Sequence, residues 1–178
     1  MNISEFIALY GTRETYRKGQ HIFRQGDDDH CLYVIESGLL KAYYLNEEGN
    51  EQVKSFLTTN SIIGSLLSCY SKLQCSFNLL CLEPASVIKI PFDLLHQLSQ
   101  QDLTLAVELQ QYLLMLAMKK EKREYELLCL PAEQRYQQLL NDMPELFSKV
   151  TQKDIAHYLG ITNVALSRIK KRLQTSST

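Results

Sequence analysis

The chain has 178 residues, of which 45% are hydrophobic and 22% charged, a composition typical of a globular protein with one large domain or two small ones. Its net charge of −1, taken over the whole chain, argues against a nucleic-acid-binding protein. No apolar run has the length of a bilayer span and the first residues lack the features of a signal peptide, so the sequence predicts a cytoplasmic protein without a membrane segment.

The sequence pattern of the first half of the chain predicts a helix followed by short strands. Residues 1–15 predict a short helix with Phe6, Ile7 and Tyr10 on one side. From about Tyr16, runs rich in Ile, Val, Tyr and Phe alternate with glycine turns, and Gly49 in NEEGNE supplies the left-handed residue of a hairpin. The runs CLYVIES, LLKAYYL, EQVKSFL and ASVIKI are read as strands, which predicts a small β-barrel over about residues 16–92.

After Pro91 the pattern becomes helical, and a long helix is predicted from Gln101 to Leu130. Its middle, YLLMLAM, is apolar all round, so it must be covered on several sides. The barrel can cover one side, and we expect a symmetric homodimer to cover another; the alternative is a helix buried within its own domain. The residues near a heptad seam are Leu103, Val107, Leu114 and Ala117.

Pro131 breaks the long helix and is a candidate hinge. It divides the chain into a predicted sensor domain, residues 1–130, and a predicted reader domain, residues 131–178. The reader begins with one more helix, PAEQRYQQLLND, whose inward side chains are predicted to be Tyr136, Leu139 and Leu140.

The segment from Thr151 to Leu173 has the pattern of two short helices joined by a tight turn. Thr151 can cap the first helix, with Asp154 in the capping-box position. Gly160 stands where the helix must stop and the chain must turn with positive φ, and Thr162 can cap the second helix. The apolar positions of the two helices are Ile155, Ala156, Leu159, Ala165, Leu166, Ile169 and Leu173.

The outer face of the second helix is cationic. Residues 149–178 carry six Lys or Arg against one acid, which gives +5, whereas the rest of the chain carries thirteen against nineteen, which gives −6. A basic module on an acidic body predicts binding to the DNA major groove. The alternative is an ordinary amphipathic hairpin with a solvated basic face. The side chains of this face are Asn163, Ser167, Arg168, Lys170, Lys171 and Arg172.

The whole order of elements resembles the Crp–Fnr transcription regulators. The resemblance rests on KGQHIFRQGD, LYVIESGLLKAYYLNEEGNE and SIIGSLLS in the barrel and on QKDIAHYLGITNVALSRIKKRL in the reader, and it covers nearly the whole chain. It implies an α+β fold with an N-terminal double-stranded β-helix, or jelly-roll, barrel. A long dimerisation helix over about residues 101–130 and a small C-terminal helix-turn-helix domain would follow.

The resemblance also implies how such a protein works. Family members are homodimers that bind palindromic sites in double-stranded DNA, act with RNA polymerase and usually switch on a small signal bound in the barrel. The three positions that touch base edges correspond to Asn163, Val164 and Arg168, whereas Lys170 and Lys171 point toward phosphates. The implied DNA-binding set is Thr162, Asn163, Val164, Ser167, Arg168, Lys170 and Lys171.

One departure from the family concerns the candidate ligand pocket. In cyclic-AMP-binding members a Gly-Glu pair holds the ribose and a later Arg-Ser pair holds the cyclic phosphate. The matching positions here are Gly64-Ser65 and Cys75-Ser76, so a hydroxyl and a thiol replace the carboxylate and the guanidinium. A buried phosphate without a paired cation is costly. Cyclic AMP is therefore disfavoured, and the sequence leaves the effector unknown.

A second departure concerns the end of the chain. The family usually follows its recognition helix with a β-hairpin wing, but only QTSST follows Leu173 here. No clear wing is expected, and DNA affinity should depend more on Lys170, Lys171 and Arg172.

Other kinds of function have weaker support. The five cysteines form no CxxC pair, and a soft-metal or redox site at Cys69, Cys75 and Cys81 is the alternative to their being small hydrophobes. No Gly-rich phosphate loop, GxSxG or metal-spaced His pair is present, so no catalytic residue, metal site or enzyme is predicted. The alternative function is a ligand or redox sensor that acts through protein partners without binding an operator, which would leave the basic tail unexplained.

Overall fold

A computed structural model describes residues 1–175 of the chain. Residues 176–178, which include the end of the predicted reader domain and the last part of QTSST, lie outside the described residues. The helices are α1 (Ile3–Tyr10), α2 (Leu66–Ser71), α3 (Phe92–Ser99), α4 (Leu103–Cys129), α5 (Ala132–Asp142), α6 (Leu146–Lys149), α7 (Gln152–Leu159) and α8 (Asn163–Thr175). The strands are β1 (Thr12–Tyr16), β2 (His21–Phe23), β3 (Cys31–Ser37), β4 (Leu40–Leu45), β5 (Glu51–Leu57), β6 (Ile62–Ile63), β7 (Asn78–Cys81) and β8 (Ala85–Pro91).

These strands form two four-stranded antiparallel sheets. The first has the order β1-β8-β3-β6 and the second the order β2-β7-β4-β5. Their inner faces share one core, in which Ile35 and Val87 of the first sheet pack with Phe23, Leu40 and Leu79 of the second. The predicted jelly-roll barrel is confirmed, because the eight strands form two antiparallel sheets whose inner faces enclose one core.

Helices cover the outer face of the first sheet. Leu32 of β3 and Ile90 of β8 belong to a second buried cluster with Phe6 of α1, Leu95 of α3 and Leu105 of α4. The sheet is therefore apolar on both faces, which explains the nearly continuous hydrophobic runs of β3 and β8 in the sequence.

The chain divides into two compact units, Met1–Leu116 and the part from Ala117 onward. Helix α4 runs through both units, so the boundary at residues 130 and 131 stays a prediction. In the second unit α7 packs against α5 and α8. The fully buried side chains of this second unit include Leu146, Ile155, Leu159 and Leu166.

Among residues 1–175, no helix has both the length and the apolarity that a bilayer span requires.

Two expectations from the sequence are wrong. The first helix ends at Tyr10, and Thr12–Tyr16 is an edge strand that pairs with β8, so the barrel begins before Tyr16. This strand is mostly exposed and its residues are polar, so it has no hydrophobic alternation to reveal it. Leu140 is 40% exposed on the outside of α5, whereas Tyr136 and Leu139 point inward as predicted.

His21 gives the barrel a predictable response to acid. Its Nε2 lies 3.0 Å from the Tyr43 hydroxyl, and its Nδ1 is buried without a hydrogen-bond partner among the described residues. Burial, and after it the charges of Arg24 and Lys41, lowers the pKa of the His21 imidazole from 6.5, against a smaller opposing effect of Glu51 and Asp27. The folded state therefore disfavours the imidazolium.

The sign of the pH effect follows from this lowered pKa. The unfolded chain binds a proton at His21 more readily, so stability is full above about pH 6.5 and falls as the pH drops below it. Lowering the pH from 7.5 to 5.5 should reduce the stability of the wild type more than that of His21→Gln, which cannot titrate at this position. Thermal unfolding at the two pH values measures both losses. Equal losses in the two proteins would contradict a lowered pKa at His21.

Candidate nucleic-acid interface

Local capping defines the two helices of the candidate interface. The Thr151 hydroxyl accepts a hydrogen bond from Asp154 N at 3.1 Å and donates one to Asp154 Oδ2 at 2.8 Å. Gly160 ends α7 with φ +66°, a left-handed conformation that glycine adopts without steric cost. Thr162 Oγ1 then accepts from Ala165 N at 3.2 Å and starts α8. The predicted helix-turn-helix is confirmed, together with the capping roles of Thr151, Gly160 and Thr162.

Helix α8 has a buried face and an exposed face. Leu166 and Ile169 are 1% and 3% exposed and fix the helix to its unit. Val164, two residues before Leu166 and therefore on the opposite side of the helix, is 61% exposed although it is apolar. The predicted DNA-binding side chains that lie exposed are Thr162, Asn163, Val164, Ser167, Arg168 and Lys171. The arrangement presents a continuous polar and cationic surface around one large aliphatic side chain.

The cations of this surface have different environments. Arg168, Lys171 and Arg172 line an open groove together with Thr175. Arg172 is also paired with Glu133 of α5 at 3.2 Å. The half-buried Lys170, which was predicted to point toward phosphates, donates to Gln152 Oε1 of α7 at 3.0 Å. This contact ties α8 to the start of α7.

Sequence reasoning missed two arginines that contact the turn between α7 and α8. Arg123 of α4 donates to the Tyr158 carbonyl and stacks on the Tyr158 ring, with its guanidinium carbon 3.9 Å from the ring centroid. Arg135 of α5 donates to the Leu159 carbonyl from Nε at 3.1 Å and from Nη2 at 2.9 Å. The only signal in the sequence is an arginine on a predicted helix, because the carbonyls that Arg123 and Arg135 reach lie 35 and 24 positions further along the chain.

The four predicted pocket residues lie at the start of α2 and before β7. Ser65 and Cys75 are each 2% exposed, and Ser65 Oγ lies 3.4 Å from Ser76 N, so the structure brings these segments together. The Cys75 thiol donates to the Asp29 carbonyl at 3.6 Å. Burial raises the pKa of the Cys75 thiol, which favours its neutral form. Gly64 is tightly enclosed, because a Cβ there would lie 2.6 Å from the Cys31 carbonyl oxygen.

The described part of the chain contains no group of three or more His, Cys, Asp or Glu side chains arranged to hold a metal ion. Cys69, Cys75 and Cys81 are buried free thiols. Burial is the largest cause of the raised pKa of each, to about 11 for Cys81. Thiols in this state are weak nucleophiles and poor metal ligands.

The predicted dimer residues lie on the uncovered side of α4. Leu103, Val107 and Leu114 are 81%, 42% and 56% exposed, and Ala117 is exposed with them. Leu105 and Leu109, on the opposite side, are buried in the first unit. Helix α4 therefore has two apolar sides, of which one is buried in the first unit and the other is exposed.

Comparison with known proteins agrees with this geometry. Residues 13–102 match the family model of the cyclic nucleotide-binding domain. The chain is 30% identical over 180 residues to the fumarate and nitrate reduction regulatory protein of Yersinia pestis, covering 93% of this chain and 70% of that protein. It is 29% identical to the anaerobic regulatory protein of Haemophilus influenzae, covering 91% of this chain and 66% of that one. The chain thus spans about two thirds of the length of these relatives.

Solved structures show the same fold. FixK2 from Bradyrhizobium japonicum superposes with a TM-score of 0.80 at 20% identity, covering 94% of this chain and 86% of that chain. At this identity the likeness concerns the fold, and it extends through both the barrel and the helix-turn-helix.

Proposed function

Because this chain belongs to the Crp–Fnr family of DNA-binding transcription regulators, we propose that it acts as a homodimer and reads a palindromic site in double-stranded DNA through α8. The observation that carries the proposal is the outer face of α8, where Asn163, Val164 and Arg168 are exposed together on a capped helix. The barrel is of the cyclic nucleotide-binding type. It would act as a sensor, with no catalytic residue.

The proposed dimer is supported by the uncovered side of α4. Leu103, Val107, Leu114 and Ala117 would pack against the same residues of a second copy in a two-fold interface. Two readers related by this axis would face half-sites one turn of DNA apart, roughly 34 Å. RNA polymerase is the further proposed partner, and the cytoplasm, where DNA and polymerase meet, is the proposed location.

The three outer side chains suit different base edges. The Arg168 guanidinium can donate two parallel hydrogen bonds to guanine O6 and N7, and Asn163 can form a bidentate pair with adenine. Val164 can contact only a thymine methyl group or exclude water from the groove. Thr162 and Ser167 can add hydrogen bonds at the edge of the site, while Lys170 and Lys171 serve phosphates.

Arg168→Ala tests whether this arginine reads sequence. We expect a loss of about 1–3 kcal/mol on the selected site and a relaxed choice of base at one position. Lys171→Ala is the matched control, because it removes an exposed cation from the same groove. It should weaken binding equally on specific and random DNA and make the salt dependence shallower. If Arg168→Ala behaves like Lys171→Ala, Arg168 only positions the helix on phosphates.

We expect no tight binding of cyclic AMP. The pocket positions carry a buried hydroxyl at Ser65 and a buried thiol, kept neutral by its raised pKa, at Cys75. Neither side chain supplies a positive charge, and burying a cyclic phosphate without a cation is costly. Isothermal calorimetry should therefore show no micromolar binding to the full chain. A micromolar dissociation constant would show that another cation reaches the phosphate.

A sensor that acts only through protein partners, by ligand binding or thiol chemistry, is the second candidate. It would use the barrel without α8. The buried, neutral thiols give the redox form of this candidate little support. It gains support only if the wild-type chain selects no DNA.

A further inference from the structure

Two backbone carbonyls at the end of α7 accept hydrogen bonds from arginine side chains of other helices. The amides of Gly160 and Ile161 bond back to the His157 and Ala156 carbonyls. The next two carbonyls, of Tyr158 and Leu159, lie at the point where the chain turns into α8. Unpaired carbonyls at a helix end carry partial negative charge and favour cationic donors.

Two arginines from neighbouring helices donate to these carbonyls. Arg123 of α4 reaches the Tyr158 carbonyl while its guanidinium lies over the Tyr158 ring. Arg135 of α5 gives both Nε and Nη2 to the Leu159 carbonyl, at 3.1 and 2.9 Å. The turn that presents α8 is thus held by planar guanidinium groups, which fix direction as well as distance.

The same Arg135 side chain also reaches the end of α4. Its Nη1 donates to the Leu130 carbonyl at 2.5 Å and lies 3.5 Å from the Glu126 and Leu127 carbonyls. One guanidinium therefore joins the C-terminal ends of two helices. Burial, and after it the nearby Arg123, lowers the pKa of Arg135 from its usual range, so the charge is kept here at some cost.

Apolar packing supports the same junction. A Cβ at Gly160 would lie 3.4 Å from the Leu127 side chain of α4, so the glycine turn sits directly against that helix. Arg123 is also paired with Glu126 at 3.8 Å, which orients it along α4. The end of α4 and the turn before α8 are therefore coupled by both charge and contact.

We propose that Arg123 and Arg135 form a clamp that sets the angle between the end of α4 and the recognition helix α8, and so sets the half-site spacing that the protein accepts. The proposal rests on the proposed function, since spacing matters only if two readers bind one DNA. The two arginines are positioning residues and touch no base. They determine specificity by fixing where the two α8 helices of a dimer lie.

The clamp can be separated from a simple structural cap by varying the DNA. DNA affinity would be measured for the wild type, Arg135→Lys and Arg123→Lys. The operators would have their half-sites at the selected spacing or one base pair closer together or further apart. Lysine keeps the charge, but its single ammonium cannot replace the planar guanidinium that gives two donors to Leu159 O in Arg135 and lies over the Tyr158 ring in Arg123. Gln138→Ala, an exposed change on the same helix α5, is the matched control. Affinity for a single half-site would be measured in the Leu114→Glu background, in which the reader acts alone.

Wild type should lose affinity steeply when the spacing changes. Each lysine variant should bind the selected spacing about tenfold more weakly, the equivalent of one lost hydrogen bond to a charged group. It should lose little more at shifted spacings, and it should keep its single half-site affinity within about twofold. Gln138→Ala should follow wild type.

Two results would overturn the clamp. Equal losses on single half-sites and operators would mean that the arginines only stabilise the reader, and an unchanged spacing profile would mean that they do not set the angle. Amide hydrogen exchange at Gly160 and Ile161 gives a readout without DNA, since it should speed up in Arg135→Lys and not in Gln138→Ala. If the wild type binds all half-site spacings equally while exchange at Gly160 and Ile161 still speeds up in Arg135→Lys, the proposed function is contradicted. The contact between Arg135 and the turn before α8 would still be supported.

Discussion

Leu114→Glu is expected to give monomers and to remove most of the affinity for a palindromic site. Leu114 is 56% exposed on the uncovered side of α4. In a two-fold interface two glutamates would meet in an apolar seam, where an unpaired charge is costly. Losing the linkage between two readers should weaken binding by roughly 10²–10⁴.

Light scattering would test the oligomeric part of this prediction. Wild type should have twice the mass of the 20.5 kDa chain, and Leu114→Glu should have the mass of one chain. Lys119→Glu, an exposed change on α4 just beyond the predicted seam, should remain dimeric. A Leu114→Glu protein that stays dimeric would place the seam elsewhere.

Leu166→Ala is expected to unfold the reader while the barrel stays folded. Leu166 is 1% exposed in the packing of α8. Removing a buried leucine side chain costs about 2–5 kcal/mol, a large part of the roughly 5–15 kcal/mol that keeps a typical domain folded. The second unit should therefore melt first, and DNA binding should be lost with it.

Val164→Ala is the matched control for this loss, because Val164 is an aliphatic residue of the same helix that is 61% exposed. Its effect on the free energy of unfolding should stay within about 0.5 kcal/mol. Circular dichroism melts of the two variants would measure both values. Equal destabilisation by the two substitutions would contradict the assignment of the buried and exposed faces of α8.

The features that sequence reasoning found are those with local signals. Thr151, Gly160 and Thr162 mark the reader because a capping hydroxyl or a positive φ depends on residues only a few positions away. The main barrel strands were found because their apolar residues recur at short spacing. The jelly-roll pairing of these strands came from the resemblance to the Crp–Fnr family, since the sequence alone predicts a small barrel.

The features that it missed depend on distant partners. Strand β1 is polar and exists because it pairs with β8, far along the chain. Arg135 looks like any helical arginine until the fold brings the ends of α4 and α7 beside it. Leu140 is predicted to face inward together with Leu139, but one helical step of about 100° separates the two side chains and turns Leu140 to the outside.

Selection from a pool of randomised double-stranded DNA, with and without small molecules from a cell extract, is the most direct test of operator binding by α8. We predict enrichment of a two-fold symmetric site with a guanine in each half where Arg168 binds and half-site centres roughly 34 Å apart. The enriched site should be bound about 10³-fold or more tighter than random DNA. A pool that stays random under both conditions, or equal affinity for selected and random DNA, would contradict the account.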